Sequence, residues 1–72
     1  IMTIEVRTFS YDDNSGKEAV IVKEETGYLR NKGYYVHIKD RDGKVIKVID
    51  VTEHSLRYAS DCAYNYSTGL VQ

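Results

Sequence analysis

The residues able to do chemistry are few, and their spacing argues against most of it. His37, His54 and Cys62 are the only soft or borderline metal ligands in the chain. None pair at the close spacings of zinc sites, and structural zinc wants four ligands. His37 reads as an exposed strand residue, His54 as a solvated residue in the first turn of a helix, and Cys62 as a small hydrophobe on an apolar stripe. Asp12-x-Asn14-x-Gly16 matches the alternation of oxygen ligands that opens a calcium loop. Gly, however, stands at a ligand position and Lys23 where a bidentate Glu should close the loop, so the segment reads as a turn. Nucleophilic catalysis needs a base held against Ser, Thr or Cys by a third group, and no such set, nor a glycine-rich phosphate cradle, can be picked out. The sequence implies neither metal, cofactor nor enzymatic activity.

Tyrosine is the unusual feature. Seven of the eight aromatics are Tyr, Phe9 is the other, and Trp is absent. Tyr joins a large apolar body to a polar tip and is enriched where partners are recognised. Periodicity assigns Tyr11, Tyr34 and Tyr66 to the core and Tyr35, Tyr58 and Tyr64 to the surface.

The elements that must position these residues follow from turn signals and apolar period. Ile4 and Val6 alternate with Glu5 and Arg7, then parity shifts to Phe9 and Tyr11, predicting a strand over 3–11 with a bulge near Thr8. Asp12 to Gly16 is a dense turn cluster, and the β-branched run Ala19–Val22 makes a second strand. Residues 28–33 are a connector with a brief extended piece at Tyr28-Leu29. A second hairpin spans Tyr34 to Val51, its turn at Asp40-Arg41-Asp42-Gly43 reading as a type I turn with Gly43 left-handed, a three-residue loop. That loop places Ile38 opposite Ile46 and Val36 opposite Val48 on the buried face. Tyr35, His37, Lys39, Val45, Lys47 and Ile49 then form the outer face.

Thr52 reads as an N-cap with Glu53 in the first turn of a helix over 53–67. Leu56, Ala59, Cys62, Ala63 and Tyr66 form one stripe on it, with His54, Arg57, Tyr58, Asp61, Tyr64 and Asn65 opposite. Gly69 supplies the stop, with Leu70 folding back. The expected architecture is α+β: an antiparallel sheet of about four strands, as two hairpins, packed on one C-terminal helix (ββββα), in a single domain.

Composition sets the frame. A chain of 72 residues with 42% hydrophobic and 29% charged residues fits one globular domain. At this length folding buries only about 60% of the chain's surface, so a second chain is expected to help complete the core. No apolar run reaches the roughly 18 residues of a membrane span. Ile1 reads as an added residue ahead of the initiator Met2, and one unpaired cysteine fits a reducing, cytoplasmic setting. The net charge of −1 argues against a sequence-independent grip on phosphate. Yet Arg30, Lys32, Lys39, Arg41, Lys44 and Lys47 face only Asp40 and Asp42 in their stretch of chain, so charge is polarised.

From Gly33 to Gly69 the order of Tyr35-Val36-His37-Ile38, a turn, Val45 to Val51, and Thr52-Glu53-His54 opening a helix with Ala59, Ala63 and Tyr64 resembles the hairpin-then-helix part of AP2-type and integrase arm-binding domains. The resemblance implies that the outer sheet face enters DNA. In overall type the chain is similar to the small inhibitors that phages deploy against host proteins, anti-CRISPR proteins among them. The expectation is a non-enzymatic protein-binding module, an inhibitor or adaptor, recognising another protein through Tyr35, His37, Lys39, Lys47, Ile49, Tyr58, Asp61 and Tyr64, with homodimerisation on the outer hairpin face. The alternative is nucleic-acid binding by the exposed face of the 34–51 hairpin.

Overall fold

The computed structural model describes residues 2–25 and 33–71. The expected Tyr28-Leu29 extension, and Arg30 and Lys32 of the basic stretch, lie outside them. Four strands, β1 (Met2–Ser10), β2 (Glu18–Glu25), β3 (Gly33–Lys39) and β4 (Val45–Asp50), precede one helix, α1 (Leu56–Ser67). The strands form a single antiparallel sheet in the order β1-β2-β3-β4. The expected ββββα fold is the observed one.

The first turn is built by local polar bonds. The Ser15 amide donates to Asp13 Oδ1 (3.0 Å), the Lys17 amide to Ser15 Oγ (3.2 Å), and Asn14 and Gly16 take left-handed φ values of 63° and 80°. Asn and Gly are the residues that tolerate this region. The strand β1 does carry a bulge, but between Glu5 and Arg7 rather than near Thr8. With Val6 as the extra residue, Ile4 and Phe9 reach the same sheet face despite their odd separation, and Thr8 pairs regularly with Val20.

The helix packs on β2, β3 and β1 and leaves β4 uncovered. Between it and the sheet lie Ala19, Ile21, Val36, Ile38, Val51, Ala59 and Ala63, all buried, with Leu56, Cys62 and Tyr66 beside them as the stripe requires. Ala59 and Ala63 have no bulk beyond Cβ, which lets the helix sit close. The other face of β2 is also closed, with Val20 and Val22 each only 2% exposed. A strand buried on both faces reads as an unbroken apolar run, as Ala19–Val22 does.

The second hairpin holds the main correction. Its loop is the expected one: Gly43 lies at φ 87°, the Asp40 amide donates to the Lys44 carbonyl (2.8 Å) and Gly43 donates to the Asp40 carbonyl (3.0 Å). Lys39 faces Val45 as that loop dictates, but the register then shifts, so that Ile38 faces Lys47, His37 faces Val48 and Val36 faces Ile49. A bulge at Ile46 absorbs one residue. The expected pairs Ile38/Ile46 and Val36/Val48 do not form. Ile49 turns to the core, whereas Ile46 and Val48 stay 52% and 54% exposed.

The helix also starts later than expected. Residues 52–54 form a turn, and Ser55, at φ −73° and ψ 167°, is the N-cap, its Oγ accepting from the Tyr58 amide (3.2 Å). Thr52 is not the cap and Glu53 is not in the helix. Thr52 instead donates its amide to Asp50 Oδ1 (2.9 Å). The C-terminus ends as read: Gly69 (φ 84°) donates to the Tyr66 carbonyl and Leu70 to that of Asn65, the double bond of a Schellman motif. The Leu70 backbone folds back, but its side chain remains 74% exposed.

Candidate functional site

The residues expected to meet a partner are distributed over three surfaces. Tyr35, His37 and Lys39 alternate along β3 and share the face turned away from α1, with the Tyr35 and His37 rings 6.5 Å apart. Because of the bulge at Ile46, Lys47 and Ile49 leave that face for the helix side, as the partners of Ile38 and Val36. Val45 stays on it beside Lys39, as expected, and Val48, beside His37, joins it. The expected outer face of Tyr35, His37, Lys39, Val45, Lys47 and Ile49 is therefore not one surface.

On the helix, Tyr58 and Asp61 line the flank that looks toward β4, while Tyr64 lies on the opposite flank, edge-on to Phe9 of β1 at 6.2 Å. His54 stacks on Tyr58 with ring centroids 3.8 Å apart and planes 15° from parallel. This fixes the outward face of Tyr58 from the turn before the helix.

Two clefts meet at Tyr66 on this flank. Tyr58, Asp61, Cys62, Asn65, Tyr66 and Val71 line a cleft of about 360 Å³. On the other side of Tyr66 a second cleft of about 380 Å³ reaches Ile38, Ile46, Lys47, Tyr11 and Lys17. Tyr66 thus stands between two hollows, one along α1 to Val71 and one reaching β4 at Ile46 and Lys47. Lys47 Nζ stands 5.1 Å from the centroid of the Tyr66 ring and Lys17 Nζ 5.0 Å from that of Tyr11, positions in which the ring faces attract the cations. Burial pushes the Tyr11 hydroxyl up from its ordinary value, reinforced by the negative charge of Asp13, so it remains a neutral donor.

Several hydroxyls of α1 and its end hold the fold. Ser60 Oγ accepts from Arg7 (3.2 Å), Ser67 Oγ donates to the Tyr64 carbonyl (2.8 Å) and Thr68 Oγ1 to that of Asn65 (3.3 Å). Burial raises the Cys62 thiol, lowering its thiolate fraction at neutral pH. Among the described residues no three of His, Cys, Asp and Glu come together as a metal-binding group, and no helix is long and apolar enough to cross a membrane.

Sequence reasoning missed Tyr66, Val71 and Ile46 as parts of this surface. Its period assigns Tyr66 to the core, and it does pack there, but its other edge lines both hollows. Val71 follows the helix stop, where no period remains to place it. Ile46 is exposed only because of the bulge. No family model, curated protein or solved structure matches the chain.

Proposed function

We propose that the protein is a small, non-enzymatic protein-binding module whose partner is received by the groove between α1 and β4. One observation carries this reading: Tyr58 and Val71, 49% and 42% exposed, wall a hollow that continues past Tyr66 to the exposed Ile46. Aromatic and aliphatic groups set around a concavity are what binding hot spots are made of, with polar groups such as Asp61 and Asn65 at the rim. A rigid surface of this kind suits binding and blocking, as an inhibitor of a host protein in the manner of phage anti-defence and anti-CRISPR proteins, or as an adaptor.

Protein is favoured over nucleic acid by the arrangement of the cations. Lys39 is tied to Glu5 at 2.8 Å on one face, Lys47 lies over Tyr66 on the other, and Lys17 lies over Tyr11. A phosphate backbone needs its cations aligned along one path. The test is affinity capture from the native host with the wild-type chain and with Tyr58→Ala, followed by titration of the captured protein. Truncating Tyr58 should weaken binding by about 2 kcal/mol, with modest salt dependence. Binding of equal strength by the variant, or tight salt-sensitive binding to DNA or RNA instead, overturns the reading.

A further inference from the structure

Among the described residues β4 is an unpaired edge of the sheet, and its geometry prescribes what can pair with it. The Val51 amide donates to the Tyr34 carbonyl at 3.2 Å, which makes Tyr34/Val51 a hydrogen-bonded pair. By the alternation of antiparallel ladders, Val36/Ile49 is the next such pair, and Val48 and Asp50 aim their amide and carbonyl groups away from β3. Two of the usual protections of an edge are weak here. The side chains of Val45, Ile46 and Val48 are exposed, and only Lys47 among Val45–Ile49 carries a charge. The opposite edge, β1, is guarded by Glu5 and Arg7, which are bound to Lys39 and Ser60.

We propose that β4 pairs with β4 of a second copy, antiparallel about a two-fold axis at Val48, giving a continuous eight-stranded sheet. Charge selects this occupant. The strand begins beside Lys44 and ends at Asp50, with Glu53 in the turn that follows, so its two ends carry opposite signs. With the axis at Val48, antiparallel self-pairing sets Lys44 of each copy opposite Thr52 of the other, between Asp50 and Glu53, twice by symmetry. Parallel pairing sets like charges side by side.

Register is narrowed in the same way. A two-fold through Lys47 would oppose the two Lys47 side chains, and one through Ile49 would carry Lys44 past Glu53 to face His54. The axis at Val48 opposes Val48 to Val48 and Lys47 to Ile49, and it joins the outward-facing backbone groups of both copies. A two-fold normal to the sheet keeps both helices on one side. Centred on β2, they stand five strand spacings apart, about 24 Å, against a helix diameter of about 10 Å. Among the described residues the two helices therefore do not meet, and the pairing is argued independently of the partner reading. The shared edge is about 20 Å long, the scale of a weak interface governed by protein concentration.

The test uses a proline. The Val48 amide makes no bond to β3, so Val48→Pro removes a donor from the open edge alone. Sedimentation equilibrium should show a reversible wild-type dimer that loosens with salt, with dissociation at least about tenfold weaker for Val48→Pro and for Lys44→Glu. Should the proline variant lose its fold, Val48→Lys keeps the amide, alters an exposed side chain and sets two like charges at the axis, with the same expected loss. Hydrogen exchange at the Val48 and Asp50 amides should slow as wild-type concentration rises. A wild-type chain that stays monomeric at high concentration, or a dimer indifferent to both Val48 substitutions, overturns the proposal.

Discussion

Lys39 of β3 donates its ammonium to Glu5 of β1 at 2.8 Å, spanning the strand between them. The register puts Lys39 level with Glu18 and Glu5 level with Val22 on β2, so the bridge runs diagonally across Val20. It covers an apolar side chain on the face that α1 does not reach. The Lys39 hydrogen bond and charge, with a smaller contribution from His37, hold the Glu5 carboxyl below its usual value. A carboxyl with a depressed folded-state pKa contributes stability that is complete above the ordinary carboxylate range and is lost as pH falls through the lowered value. Glu5→Gln should therefore lower Tm slightly at neutral pH and leave it unchanged in strong acid, with the difference shrinking in high salt. Thermal melts of the two proteins across pH check this, and a difference that persists in strong acid would assign the effect to packing.

Gly33 begins β3 where the chain after β4 crosses it. A Cβ built on Gly33 would collide with Cγ2 of Thr52 and stand 2.9 Å from its Cβ. Thr52 is itself held by the hydrogen bond that its backbone N–H donates to Asp50 Oδ1, so it cannot swing aside freely. Gly33→Ala should cost about 1–3 kcal/mol in chemical denaturation, and Thr52→Gly in the same chain should recover part of that loss. No recovery would place the strain elsewhere.

What was legible in the sequence was what local chemistry decides. The turn at Asp12–Gly16, the loop at Gly43 and the stop at Gly69 are each fixed by a residue that tolerates left-handed backbone, and each was readable from residue type. Ala19–Val22 was legible as a strand because a helix would have crowded three β-branched side chains. Errors arose where two local rules competed. Thr52-Glu53 and Ser55 are both reasonable helix starts, and the turn closed by the His54 amide on the Val51 carbonyl leaves the cap to Ser55. The face of β4 was illegible because Ile46, Val48 and Ile49 are equally apolar, and the choice belongs to a bulge that no residue type signals. The candidate site inherited that error: Tyr35, His37 and Lys39 were grouped correctly and Tyr58 was correctly exposed, but Lys47 and Ile49 went to the wrong face.

Ser55 offers a direct check on the helix start. Its side chain accepts from the Tyr58 amide and its carbonyl from that of Ala59 (3.0 Å), the two bonds of an N-cap. Ser55→Ala should cost about 1 kcal/mol and reduce helical circular dichroism, while Glu53→Gln leaves both Tm and helicity unchanged. A larger effect from Glu53 would move the start back to Thr52.

The register of β4 can be read out by burying a charge one position at a time. Ile49 packs against the core opposite Val36, whose side chain is fully buried, whereas Ile46 and Val48 are about half exposed. A carboxylate forced among apolar groups costs several kcal/mol, comparable to the whole stability of so small a domain. Val36→Asp should therefore unfold the protein and Ile49→Asp should come close. Ile46→Asp and Val48→Asp should keep a cooperative melt, because their side chains can hold a charge in water without moving the backbone. The loop alone, without the bulge, makes the reverse prediction: it buries Ile46 and Val48 and exposes Ile49. Denaturant midpoints of the four variants separate the two registers, and a folded Ile49→Asp beside a collapsed Ile46→Asp would restore the unshifted hairpin.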